Sequence, residues 1–327
     1  MSVFVVLGIT GLVAWSLSYL LASEYSPFSI HDAPNSRSLH KHPTPRTGGV
    51  AILMAISLGW GVLFYLGYWA DILVWIIAAA VLVALVSLLD DIMTLSASPR
   101  FAVHGIAAVV LIWGGLVLPW GIVGMLLTWF TIVWMLNLYN FMDGMDGLSA
   151  GMTLFGFGFL GLAGWQEGAQ VYAFYAWVIA LGAGGFLAMN FPPARIFMGD
   201  IGSIPLGLLA VAFSLWGVRD DLFPLWVPVL IFSPFVVDAT VTIFRRLFDG
   251  EKIWQAHRSH YYQRLVLMGW SHKRTVFFEY LLMFCCGVTA ILVSQVAETN
   301  AWVLLGVWGS LYIIIMIWVG RLETAGQ

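Results

Sequence analysis

The sequence predicts an all-α fold, a polytopic membrane helix bundle. Hydrophobic residues make up 61% of the chain and charged residues 9%, a balance that no soluble surface accommodates. The mean hydropathy of +0.92 agrees. Crossing the hydrocarbon as a helix takes about 20 apolar residues, and the apolar runs supply about eleven such segments.

Taken in order, the first span, Phe4 to Leu21, has no positive charge before it and a basic cluster after it, so it reads as a retained helix rather than a cleaved signal. Gly49 to Gly67 and Ile72 to Leu89 follow, the latter running into Asp90-Asp91. Phe101 to Leu118 and Gly121 to Leu138 lead to a polar segment, Asn137 to Gly147. Leu148 to Trp165 carries Gly151, Gly156, Gly158, Gly161 and Gly164, a pattern that reads as close helix packing by small residues. Val171 to Met189 ends at Asn190, and Ile201 to Trp216 begins just after Asp200. Leu222 to Phe244, Val276 to Gln295 and Ala301 to Val319 complete the set. Trp69, Trp120, Trp165, Trp270 and Trp302 lie near span ends, as interface anchors do.

Basic residues set the expected orientation, since Lys and Arg near span ends stay on the cytoplasmic side. Arg37, Lys41, Arg46, Arg100, Arg195, Arg245, Arg246 and Arg258 fall on one side and Arg219 on the other. The amino terminus is therefore expected in the periplasm and the carboxyl terminus in the cytoplasm. Residues 1–327 read as a single integral membrane domain, with cytoplasmic loops at about 22–48, 90–100, 138–147, 190–203 and 245–275. Cys285 and Cys286 are adjacent within a span and read as packing residues. A net charge of -3 without a long basic tract argues against nucleic acid as a partner.

The chemistry gathers at the inner span ends. Asp90 and Asp91 repel unless a cation neutralises them, and acids at a helix C-terminus oppose the macrodipole. In Asn137 to Gly147, Asn137, Asn140, Asp143 and Asp146 are spaced by three, close to one face if the helix continues; Gly144 and Gly147 permit a bend or a close approach. Asn both donates and accepts while Asp only accepts, which suits a nucleobase edge, a sugar hydroxyl or a hydrated cation. The run Asn190 to Ser203 joins a proline-stiffened turn, Arg195 and Asp200. Gly202 and Ser203 could open the next helix, with backbone amides free for phosphate, or Ser203 could cap it.

These motifs resemble the polyprenyl-phosphate N-acetylhexosamine-1-phosphate transferase superfamily (glycosyltransferase family 4), in its O-antigen-initiating branch and related to phospho-N-acetylmuramoyl-pentapeptide transferase. The match runs from Asp32 to about Leu265: Asp32 to Gly49, Asp90-Asp91, Asn137 to Gly147, Asn190 to Ser203, and His257-Arg-Ser-His260. The resemblance implies transfer of an N-acetylated amino-sugar 1-phosphate from a UDP-N-acetylhexosamine donor to undecaprenyl phosphate, with release of UMP. It further implies Mg2+, with Mn2+ as a substitute, a multi-pass protein of the bacterial inner membrane whose site faces the cytoplasm, contact with membrane lipids, and a homodimer. By the same resemblance Asp200 holds the metal; Asp90, Asp91, Asp143, His257 and His260 are catalytic; Lys41, Asn137, Asn140, Asp146, Asn190 and Arg195 bind substrate, Asp146 on the uracil side.

The chain departs from the family in three places. The lysine that some relatives carry soon after the paired acids is missing, leaving Arg100 as the nearest cation; His104 stands where glutamine is common; Ile201 replaces a threonine. His31, His40, His42 and His272 read as solvated loop residues. Asp238 reads as a supporting acid and Glu279 as structural. An ion-coupled transporter would place polar groups near the midplane in repeated halves, and an intramembrane aspartyl protease would leave Asn137, Asn140 and the histidine loop without a role. Selection among donor sugars, which differ at one or two ring positions, is expected in the loop Phe248 to Arg274.

Overall fold

The computed structural model describes residues 2–23, 30–32, 43–252, 257–294 and 298–325. Its helices are α1 (Val3–Leu21), α2 (Gly48–Tyr65), α3 (Ile72–Met93), α4 (Ala97–Trp113), α5 (Gly121–Met142), α6 (Leu148–Gln166), α7 (Gln170–Asn190), α8 (Asp200–Arg219), α9 (Trp226–Ile231), α10 (Ser233–Phe248), α11 (Tyr261–Leu267), α12 (His272–Val293) and α13 (Glu298–Ala325). Two-residue strands, β1 (His31–Asp32) and β2 (Thr44–Pro45), pair antiparallel. The fold is the all-α membrane bundle that the composition demands.

Every expected span has a counterpart, but among the described residues nine helices, rather than about eleven, are long and apolar enough to cross a membrane. The fourth, α4, is only 17 residues long. The ninth is broken at Phe232 into α9 and α10. Pro234 brings no N–H to the carbonyl of Leu230, and the Ser233 hydroxyl donates to that carbonyl instead, at 2.7 Å. The short α11, on the loop that follows α10, has no hydrophobic signal that would announce it.

α8 is the most enclosed candidate span, with 89% of its apolar window buried, and it packs against α3 and α5. Around it, α7 joins α6 to α1. The glycines of α6 do not bring backbones together as expected; most of them form notches for rings. A Cβ at Gly151 would lie 2.0 Å from Tyr280, at Gly156 2.5 Å from Phe232, at Gly161 2.4 Å from Trp177 and at Gly164 2.4 Å from Tyr172. Only the missing side chain admits these aromatics.

At the inner end of the bundle the loops are stitched by backbone. Phe197 N–H donates to Pro45 O, and Gly48 and Gly49 N–H donate to Phe197 O and Met198 O, at 2.7–2.9 Å. This brings the start of α2, the end of α3, the end of α5, the end of α7 and the start of α8 into one place.

Candidate active site

The acid pair ends up inside the last turn of α3, and its two members face different partners. Asp90 accepts from Leu95 N–H at 2.6 Å and from Arg100 Nη1 at 2.7 Å. Asp91, only 3% exposed, reaches across to the start of α8, where it accepts from Ile201 N–H at 2.9 Å and Asp200 N–H at 3.3 Å. It therefore caps a helix that begins 109 residues later in the chain. The amides expected to be free for phosphate are taken: two by Asp91, and those of Gly202 and Ser203 by Gly199 O. Ser203 is not the cap; its hydroxyl donates to Asn140 Oδ1 at 3.2 Å.

Gly199 makes the approach of Asp91 possible. Its φ of +71° lies in the left-handed region, and a Cβ there would lie 2.4 Å from Arg46 O. Arg46 clasps the other side, with Nη2 donating to Asp91 O at 2.5 Å and Nε 3.7 Å from Asp91 Oδ1. Arg100 links the two acids flanking this cap, at 2.7 Å from Asp90 and 3.6 Å from Asp200.

The Asn137 to Gly147 segment is not a single helical face. α5 ends at Met142, so Asp143 and Asp146 sit in the following turn rather than in line with Asn140. Asn137 points elsewhere, bonding to Val133 O at 2.7 Å and lying 3.3 Å from His104 Nδ1. His104, on α4, thus pairs with a polar partner instead of merely packing. The glycines receive side chains from the end of the chain: a Cβ at Gly144 would sit 2.4 Å from Tyr262 Oη, and Gly147, with φ +75°, takes a hydrogen bond from Tyr280 Oη on its carbonyl at 2.7 Å.

A cleft of about 220 Å³ opens over this junction, and Asp91, Asn140, Asp143, Asp146, Asn190 and Asp200 all line it together with Asp32, Arg46, Gln263 and His272. Asp143 is partly buried in the cleft wall, and burial first, then the charges of Asp200 and Asp91, push its carboxyl well above the usual range. Asn190 is committed to the frame, accepting from Gly147 N–H and donating to Ile196 O, both at 2.8 Å. Asp146 accepts from Ala194 N–H at 3.1 Å and lies 3.3 Å from His272 Nδ1. His272 is therefore a cleft residue and not a solvated one; its position at the start of α12 gave no sequence signal for this.

The other expected residues that the structure describes lie off the cleft wall. Asp90 is buried behind Arg100. Arg195 is exposed on its turn, and Lys41 lies outside the described residues. His260 is 2% exposed and serves in a second remote cap: Asp238 accepts from its Nδ1 at 3.2 Å and from Tyr261 and Tyr262 N–H at 3.0 and 3.2 Å, which anchors the start of α11. Asp238 is thus the supporting acid expected from its place in the sequence. His257 lies beside His260 with the rings tilted, centroids 4.9 Å apart, and its pKa is lowered to about 4 by burial first, then by the nearby His260 and Arg246. A larger pocket of about 430 Å³ between α2, α3, α7 and α8 has no charged lining, so the chemistry belongs to the smaller cleft.

Comparison with known proteins agrees with this arrangement. The model of the family described as glycosyl transferase family 4 matches residues 72–218, the stretch that carries Asp90, Asp91, Asn137 to Gly147, Asn190 and Asp200. A probable undecaprenyl-phosphate N-acetylglucosaminyl 1-phosphate transferase of Bacillus subtilis is 30% identical over 300 residues, covering 88% of this chain and 81% of that relative. A decaprenyl-phosphate N-acetylglucosaminephosphotransferase of Mycobacterium leprae is 32% identical over 320 residues, covering 83% and 77%. An undecaprenyl-phosphate alpha-N-acetylglucosaminyl 1-phosphate transferase of Salmonella typhi is 27% identical over 263 residues, covering 74% and 71%. With the acids of all three central motifs gathered at one end of a membrane bundle, the chain belongs to glycosyl transferase family 4.

Proposed function

We propose that this protein transfers N-acetylhexosamine 1-phosphate from a UDP-sugar to undecaprenyl phosphate, releasing UMP. The observation that carries the reading is the cleft itself, where carboxylates and Arg46 converge at the membrane-proximal ends of α2, α3, α5 and α8. A lipid phosphate held at the membrane can meet a soluble nucleotide there. The relatives' names specify N-acetylglucosamine, which makes UDP-N-acetylglucosamine the first donor to test. The lipid-linked product would start a cell-surface polysaccharide, of O-antigen type by the histidine motif.

In the reaction, an oxygen of the lipid phosphate forms a bond to the sugar-bearing phosphorus of the donor. The bond from that phosphorus to the bridging oxygen breaks, and the electron pair leaves with UMP. Arg100 and Arg46 offset the negative charge of two phosphates brought together. Asp90, behind Arg100, orients that guanidinium toward the acceptor phosphate; with a second pKa near 6, that phosphate is largely ionised at neutral pH and needs orientation more than deprotonation. Asp143, Asn140 and Asp146 line the donor side.

Mg2+ fits the residues present. Asp200 keeps 27% of its side chain exposed, and among the described residues no three His, Cys, Asp or Glu side chains form a complete cage. That suits an ion that binds one or two carboxylates and fills its shell with water and substrate phosphate. When bound, it would polarise the donor diphosphate. Asp200 is the proposed ligand, and Mn2+ the proposed substitute.

The assay is incubation of purified protein with undecaprenyl phosphate and a panel of UDP-sugars, scored by lipid product. Formation of undecaprenyl-diphosphate N-acetylglucosamine with UMP is expected; absence of any lipid-linked product would refute the reading. The orientation, a multi-pass protein of the inner membrane with the cleft toward the cytoplasm, is tested by cysteine labelling: position 258 reacts from the cytoplasm and position 219 from the periplasm. Cross-linking in native membranes tests the homodimer.

A further inference from the structure

We infer that His272 is a positioning residue for the donor nucleotide, acting by holding the Asp146 carboxylate with its imidazole Nδ1. The inference rests on the functional reading above and adds a residue to it. His272 Nδ1 lies 3.3 Å from Asp146 Oδ2, and because a carboxylate only accepts, the approach is favourable with the proton on Nδ1. Ala194 N–H donates to the same oxygen at 3.1 Å. The Ala194 amide thus holds Oδ2 with the His272 imidazole against it, and among the described residues none reaches Oδ1. One oxygen is anchored and the other is left for a ligand donor in the cleft that both residues line. An N–H or O–H group of the donor, such as a uracil imide, is the chemistry that fits.

The surroundings hold His272 in place. The Ser271 hydroxyl accepts from Arg274 N–H and caps α12, Lys273 lies over the Phe191 ring and Arg274 over the Trp270 ring. Tyr280, two turns on, is hydrogen-bonded to Gly147 O, one residue from Asp146. The Tyr280 hydrogen bond therefore ties α12 to the turn carrying Asp146.

The geometry makes a specific demand, because an asparagine amide places its N–H near where Nδ1 stands, while a glutamine amide places it near Nε2. His272→Ala and His272→Gln should raise KM for UDP-N-acetylglucosamine about tenfold, as expected for loss of one polar contact to a charged group. Both should leave KM for undecaprenyl phosphate within about twofold. His272→Asn should restore donor KM to within about threefold of wild type. Asp146→Ala combined with His272→Ala should be no worse than Asp146→Ala alone, since the two residues act as a unit. Thermal melting of each variant checks the fold. An Asn variant as impaired as the Ala variant, an unchanged donor KM in the Ala variant, or additive losses in the double variant would each overturn the inference while leaving the transferase reading intact. Wild-type protein that neither binds nor turns over UDP-N-acetylglucosamine would overturn both.

Discussion

Replacing Asp91 separates structural from chemical loss. Its carboxylate accepts two amides at the head of α8, at 2.9 and 3.3 Å, and is 3% exposed. Hydrogen bonds to a charged group contribute about 1.5–3 kcal/mol each, and the longer bond lies at the weak end. Asp91→Ala leaves both amides unpaired and Arg46 without its counter-charge, so a loss of about 3–5 kcal/mol is expected, the range for breaking a buried pair. Asp91→Asn keeps one acceptor oxygen, and a loss of about 1–2 kcal/mol follows from the usual worth of a cap. The assay is thermal unfolding in detergent alongside turnover, with Asp200→Asn as control. The Asp200 side chain holds no helix end; it lies 3.6 Å from Arg100 and meets the Asp90 side chain. Asp200→Asn should thus melt like wild type and turn over slowly at low metal, while Asp91→Ala should lose stability and activity together. An inactive Asp91→Ala that melts at the wild-type temperature would refute the cap and leave Asp91 a purely chemical residue.

Magnesium titration should divide Asp200 from Asp90: Asp200→Asn raises the metal concentration needed for half-maximal turnover, whereas Asp90→Asn lowers turnover with the midpoint unchanged, and equal shifts would mean that both bind the ion. On α6, Gly151→Ala meets the Tyr280 ring at 2.0 Å and should cost about 1–3 kcal/mol by overpacking, while Gly158→Ala has nothing within 4 Å and should gain up to about 1 kcal/mol; melting temperatures moving in the same direction would contradict the notch. His257 has its pKa lowered from 6.5 to about 4 in the fold, so between these values the unfolded chain binds more protons and stability falls as pH drops. His257→Gln should flatten the melting temperature over that window, and an unchanged slope would assign the pH dependence to other groups.

The bundle was legible because hydrocarbon imposes length and apolarity on each span, and the inner acids because nothing else in an oily chain accounts for them. The same signals misread what lies between. Periodicity carried Asn137, Asn140, Asp143 and Asp146 onto one face, but the chain leaves the helix at Met142, and a glycine-rich turn erases the helical register. A break at Phe232 depends on one hydroxyl standing in for one missing N–H, which hydropathy does not register. His257 and His260 look catalytic as a motif, yet His260 is engaged by a carboxylate on α10, a long-range pairing that spacing does not encode. His272 lacks any motif, and only the folded distance to Asp146 marks it.

The docking of Tyr262 on Gly144 and of Tyr280 on Gly147 and Gly151 has a bearing on biogenesis. The turn that carries Asp143 and Asp146 is complete in sequence by residue 147, yet its packing partners are synthesised more than a hundred residues later. Helices α1 to α8 can enter the membrane and associate around α8 as they emerge, since chains fold amino-terminal parts first. Until α11 and α12 arrive, the donor side of the cleft lacks the two rings that fill its glycine gaps. A nascent or truncated protein ending after α8 would contain most of the acids and no finished site, so competence for a nucleotide substrate comes with the last third of the polypeptide.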